Sequence, residues 1–315
     1  MLDLKFFLED LKSTLENLLF FDVETASVVP TLELDTPLFD SWSYKVNKDG
    51  KMTNNEIIES YSQRSGLYPE FAKIVSVVVG KIVKGKIFLI TLDHDSEVDI
   101  LNEFNVILER NLKCKLVGFV SIAFDTPFLF KRMLLKGIEP HDKIDYSGLK
   151  PWEVTDIDLA MEWKGTSFER ASLINAATAF GLPSPKSDIS GADVGRVYWE
   201  EGRKGLSRIS LYCGRDVVTT VNLFRAMLVQ DPLEVAEFTP KAETVTPLIE
   251  KLFDGGKYGA AEKKELKGIL LNLNEGEREK AFILLDATTS GAKGKKTKIT
   301  KTHVKAIKKE ILDGK

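Results

Sequence analysis

Apolar positions change their period several times along the chain, and the changes predict its elements. Leu4, Phe7, Leu8, Leu11 and Leu15 recur at helical spacing and predict a short amphipathic helix over residues 2–16. In "NLLFFDVET" (17–25) four consecutive apolar residues predict a strand, which then takes up two acids. "DSWSYKVNK" (40–48) reads as an exposed loop or a short edge strand, and residues 54–64 read as a helix. "FAKIVSVVVGKIVKGKIFLITLD" (71–93) predicts two strands joined by a turn at Lys84-Gly85-Lys86. Helices are expected over 96–111, 125–137 and 166–182 and within 205–228, with a strand over 114–123. Gly137 is placed to end the helix that begins near Asp125. Three early strands followed by strand–helix alternation predict an α/β fold, a mixed sheet flanked by helices.

Residues 231–315 read differently. "EFTPKAETVTP" (237–247) has the Pro and Thr content of a linker. Two helices are expected after it, with a turn at Asn274–Gly276, and then a basic closing segment. The expected organisation is one domain over 1–230 and a linker with a small helical, basic extension over 231–315. No internal repeat is present.

Composition adds limits rather than identity. With 43% hydrophobic and 29% charged residues the chain is of ordinary globular make-up. Net charge is −3, but residues 291–315 hold nine Lys and two acids, about +7, which leaves about −10 for residues 1–290. There is no overall basic field; the basic segment reads as a contact to nucleic-acid backbone or as a solvated helix end. Cys114 and Cys213 are too few for a disulfide framework or a zinc cluster and read as buried thiols in a reducing compartment. No apolar run reaches the ~18 residues of a membrane span, and the first residues lack a basic stretch leading into an apolar one. A cytoplasmic protein is therefore expected.

The chemistry lies in the acids that fall within apolar surroundings. Asp22 and Glu24, at i and i+2, point to the same face of their strand. Two carboxylates on one face repel unless they are protonated or share a cation. Alone the pair also fits a solvated edge. Asp125 follows a strand and also fits a helix cap, and Asp216 lies within a helix, where aspartate is a poor former. Tyr212, four residues earlier, shares the face of Asp216. Four carboxylates can clamp two divalent ions, and such a pair activates water and stabilises a departing phosphodiester oxygen. A nearby Tyr hydroxyl can orient that water.

"FDVET", "FDTPF" and "YCGRD" resemble the three exonuclease motifs of the DEDD superfamily, and Tyr212 with Asp216 matches its Y-x-x-x-D form, DEDDy. The likeness is to bacterial 3′–5′ exonucleases related to the proofreading domain of family B DNA polymerases. It runs between the motifs, through "KPWEVTDIDLAMEW", "FGLPSPKSDISGADVGRVYWEEG" and "RISLYCGRDVVTT", and covers about residues 17–228. The resemblance implies a ribonuclease H-like fold, two Mg²⁺ or Mn²⁺ ions, and release of nucleoside monophosphates from a 3′ end without a covalent enzyme intermediate. Carried over by motif, Asp22, Glu24, Asp125 and Asp216 are metal ligands and Tyr212 positions the water. One departure stands out. The family usually has an Asn, a contact to the substrate strand, shortly before the Phe-Asp of the second motif; Val120 or Ser121 stands there.

Thr25, Ser121, Phe128 and Lys131 are the candidate nucleic-acid contacts. Phe128 and Phe130 read as core residues or as rings that stack on bases, and Lys131 and Arg132 as phosphate contacts or a solvated helix face. Asp188 and Asp193 read chiefly as caps. Asp156 and Asp158 form a second closely spaced acid pair; the family's pattern places them on a strand after the second motif, which would bring Asp158 toward the cleft, with a metal role the lesser reading. His94, His141 and His303 have no ligand spacing. The expected activity is a metal-dependent 3′–5′ exonuclease on DNA, single-stranded or frayed; the alternatives are an RNA-directed exonuclease or an impaired nucleic-acid-binding module of the same fold. A separate polymerase partner is compatible with the sequence but not indicated by it.

Overall fold

The structure, a computed structural model, describes residues 15–150, 152–169, 171–184 and 188–235, together with 263, 264, 266, 267, 306, 307 and 309. The chain divides into two units, Met1–Val235 and Ala236–Lys315, and the fold described here is that of the first. The helix expected over 2–16 and the linker, turn and basic segment expected after 236 lie almost wholly outside the described residues.

Five strands form one mixed sheet in the order β3-β2-β1-β4-β5. β1 (Leu18–Ser27) pairs antiparallel with β2 (Ala72–Val83), and β2 with β3 (Lys86–Leu92). The tight turn between them has Lys84 and Gly85 at φ 48° and 73°, the two successive left-handed residues that match strand twist in a hairpin. On its other edge β1 runs parallel to β4 (Lys115–Gly118), and β4 to β5 (Ile157–Asp158). An antiparallel meander extended by two parallel strands in this order is the ribonuclease H-like arrangement.

β1 is central, and that explains its unbroken apolar run. Leu19, Phe21 and Val23 pack with α3 (Glu97–Arg110) and α4 (Asp125–Leu135) through Phe104, Leu108, Phe128 and Leu129. Leu18 and Phe20 face the opposite way, onto α6 (Leu173–Ala179) and α7 (Val194–Met227), meeting Ala177, Val217, Val221 and Phe224. Each such fully buried side chain contributes roughly 1.5–3 kcal/mol. Between β4 and α6, β5 leads directly into the short helix α5 (Leu159–Lys164).

Some elements differ from expectation. Residues 40–48 are mostly helix: α1 (Pro37–Val46) begins with Thr36 accepting the Phe39 N–H at 3.1 Å and with proline in its first turn. With α2 (Asn54–Arg64) it closes a small core around Trp42 and Tyr61. The expected strand over 114–123 stops at Gly118, and the helix over 166–182 shrinks to residues 173–179. The last helix starts earlier, at Val194, and turns a corner at Gly202, whose φ 56° and ψ −133° suit glycine alone. The first unit also runs past residue 230, where the Ile87 N–H donates to Glu234 C=O at 3.1 Å. Among the described residues no helix is long and apolar enough to cross a membrane.

Candidate active site

Three elements bring the acids together. β1 places Asp22 and Glu24 on the face covered by α7, beyond Phe20. From α7 come Tyr212, Cys213 and Asp216. Ligand atoms of Asp22, Glu24 and Cys213 lie within 4.8 Å of one another. The Cys213 thiol donates to the Asp22 backbone carbonyl at 3.3 Å. Asp125 arrives from the other direction as the first residue of α4. Its carboxylate accepts the Val23 N–H, between Asp22 and Glu24, at 3.2 Å. It caps no helix, so its position is tied to β1 instead.

Burial and mutual repulsion set the electrostatics. Burial, then the charges of Asp125, Glu24 and Asp216, push the Asp22 carboxyl well above the usual range. Glu24 is pushed up likewise by burial, Asp216 and Asp125. Asp125 is pushed up to about 7 by burial, against the backbone N–H groups of Asp125 and Val23, which favour its charged form. Asp216 is pushed up to about 6, again by burial, with the Tyr212 hydroxyl opposing. Burial and the acids around it raise Tyr212, which therefore keeps its proton. Among the described residues no Lys, Arg or His forms an ion pair with any of the four carboxylates. All-oxygen donors, self-repelling and without a cationic partner, fit a hard divalent cation.

The loop before Asp125 is held by residues that the sequence reading left outside the site. Gly118 ends β4, and a Cβ there would come within 2.4 Å of Ser121 Cβ, so glycine is required for Ser121 to fold beneath it. Val120 sits at φ 67°, an uncommon conformation for a β-branched residue. Asp158 is buried and accepts the N–H groups of Val120, Ile122 and Ala160. Its neighbour Asp156 accepts the Leu116 N–H at 2.9 Å and the Tyr146 hydroxyl at 2.5 Å. The paired acids in "TDIDLAM" were visible in sequence; their distant backbone partners Leu116, Val120 and Ile122, 40, 38 and 36 positions away, were not.

The candidate strand contacts separate. Lys131 is exposed on α4, and Thr25 is half-buried with its hydroxyl donating to Gly66 C=O at 2.7 Å. Ser121 and Phe128 are buried, 3% and 2% exposed, so neither presents its side chain to a strand; Phe128 is a core residue, its ring against Phe124. Phe130 packs partly buried against the same core. Arg132 is no phosphate contact. It is buried, with two guanidinium nitrogens on Glu97 at 2.7 and 2.6 Å and a third on Pro69 C=O at 2.8 Å. Asp193 closes a capping box with Ser190, and Asp188 pairs with Arg208 at 2.7 Å. His94 and His141 face Glu103 and Glu109 at 2.8 and 3.4 Å, away from the acids; His303 lies outside the described residues.

Residues 67–261 match the family described as predicted 3′–5′ exonucleases related to the exonuclease domain of PolB. The match spans more than half of the chain, which therefore belongs to that family. It includes Asp125, Tyr212 and Asp216, while Asp22 and Glu24 precede it. Among solved structures, the family B DNA polymerase from the hyperthermophilic archaeon Pyrobaculum calidifontis is similar at 16% identity and a TM-score of 0.45. That alignment covers 67% of this chain and 24% of the polymerase. No curated protein matches.

Proposed function

We propose that the chain is a divalent-metal-dependent 3′–5′ exonuclease acting on DNA ends, single-stranded or frayed. The observation that carries this reading is the meeting of four carboxylates from β1, α4 and α7 with no cationic partner among the described residues. Asp22, Glu24, Asp125 and Asp216 are the residues that would hold two Mg²⁺ or Mn²⁺ ions. When bound, such ions supply an activated water and charge stabilisation for the departing phosphodiester oxygen. Tyr212 orients the attacking water through a hydroxyl that stays protonated within reach of Asp216. Cys213 is unsuited to nucleophilic attack: its thiol is buried, bonded to the Asp22 carbonyl, and raised by burial away from the thiolate form. Attack by water, with no covalent enzyme intermediate, is the chemistry that the resemblance to this exonuclease family implies.

Chemistry at the backbone does not distinguish bases. A family related to a polymerase exonuclease domain favours DNA over RNA as the substrate. Lys131 and Thr25 are the strand contacts this reading retains. Cytoplasmic location belongs to the same proposal. The experiment is digestion of a single-stranded DNA in Mn²⁺ and ¹⁸O-enriched water. Release of nucleoside 5′-monophosphates, each with one ¹⁸O on its phosphate, is expected. Release of 3′-phosphates, or cleavage at internal positions, would contradict the proposal.

A further inference from the structure

Asp158 stands where β4 ends, directly opposite Gly118 in the parallel β4–β5 register. One of its oxygens accepts the Val120 N–H at 2.8 Å and the Ala160 N–H at 3.0 Å; the other accepts the Ile122 N–H at 3.2 Å. The Ala160 bond caps α5. The other two reach 38 and 36 positions back, into the loop that carries the chain from β4 to Asp125.

The rest of that loop is closed by its own backbone. Val120 C=O accepts the N–H groups of Ala123 and Phe124, and Ser121 C=O accepts that of Thr126. Its shape thus depends on Val120 staying at φ 67°, which valine does not favour by itself. Asp158 supplies the external hold. Asp125 follows soon after, and its carboxylate must land on the Val23 N–H to stand beside Asp22 and Glu24.

We propose that Asp158 is a positioning residue: by clamping the N–H groups of Val120 and Ile122 it sets where Asp125 meets the other acids, and with it the cation affinity of the site. The inference rests on the reading of those acids as a cation site. Without the clamp the loop is free to leave its left-handed turn, and Asp125 moves at the root of α4. Constellations of this kind tolerate errors of only about 0.5 Å.

The test is Mn²⁺ binding to the full chain, followed by electron paramagnetic resonance, with melting in EDTA as the measure of folding. Asp158→Asn keeps one acceptor oxygen but turns an amide toward the other donors. Asp158→Ser keeps a cap for α5 yet is too short to hold the loop. Both are expected to melt cooperatively and to weaken Mn²⁺ binding tenfold or more. The loss is expected to persist in an Asp216→Asn background and to vanish in an Asp125→Asn background. Folded Asp158 variants that bind Mn²⁺ like wild type would overturn the proposal, as would an equal loss in both backgrounds. Variants that fail to fold would assign Asp158 to stability alone, which also overturns it. If the wild-type chain binds no Mn²⁺, the cation-site reading itself falls.

Discussion

The carboxylate of Asp125 accepts the backbone N–H of Val23, 102 positions earlier in the chain, at 3.2 Å. β4 pairs with β1 at Leu18, Leu19 and Phe20, so beyond Phe20 that edge of the central strand has no ladder partner among the described residues. Asp125 takes the ladder's place. One side chain thereby satisfies a buried donor and adds a negative charge beside Asp22 and Glu24.

Asp125→Asn separates these two roles. The amide oxygen can still accept from Val23, while the charge is gone. The variant is expected to fold and, without divalent ions, to gain about 1–2 kcal/mol of stability, as relief at a strained functional site does. Exonuclease activity is expected to fall at least ~100-fold. Thermal unfolding in EDTA beside a nuclease assay checks both; a variant less stable than wild type would show that the repulsion is already relieved.

The same repulsion makes the metal-free protein sensitive to pH. Unfolded aspartates lose their protons near pH 4. In the folded chain Asp216 keeps its proton to about pH 6 and Asp125 to about pH 7. The folded state binds more protons in that window, so this contribution to stability is present at low pH and is lost as pH rises through the folded values. In EDTA, the stability advantage of Asp216→Asn over wild type is expected to grow from pH 5 to pH 8. Saturating Mn²⁺ is expected to remove it. Denaturant titrations at the two pH values measure the difference.

Tyr212→Phe removes the hydroxyl and leaves the ring packed beside Ile209 and Val197. Mn²⁺ affinity is expected to stay within a factor of about two, since no carboxylate is lost. The turnover number is expected to fall roughly 10²-fold, the range for a positioned hydrogen-bonding group. Single-turnover digestion with and without the hydroxyl separates the two effects.

Val120→Asn places a residue that tolerates φ 67° where valine is strained. A gain of about 1 kcal/mol is expected in chemical denaturation, the low end of the cost of such a conformation. Substrate affinity, compared by KM, is the second readout, because the family's usual Asn falls at this loop.

Much of this was legible in the sequence. β1, the β2–β3 hairpin and the helix of Tyr212 and Asp216 follow from local periodicity and turn chemistry. The four acids stood out by their apolar surroundings and by the resemblance of their motifs to a known family. Asp158's role did not, because its partners at Val120 and Ile122 depend on β5 lying beside β4, a non-local pairing. Arg132 reads in sequence as a surface cation next to Lys131; only the packing of α4 on α3 buries it against Glu97. The helix at 37–46 was readable after all, from Thr36 followed by Pro37 and from Phe39, Trp42 and Val46 at helical spacing.

The most direct measurement is digestion of a 5′-labelled single-stranded DNA by the wild-type chain and by Asp22→Ala, in Mn²⁺, in Mg²⁺ and in EDTA. The expected result is a ladder shortening one nucleotide at a time from the 3′ end, absent in EDTA and absent with Asp22→Ala. A ladder that persists in Asp22→Ala, or an intact substrate with wild type in both metals, would contradict a metal-dependent exonuclease built on these four acids.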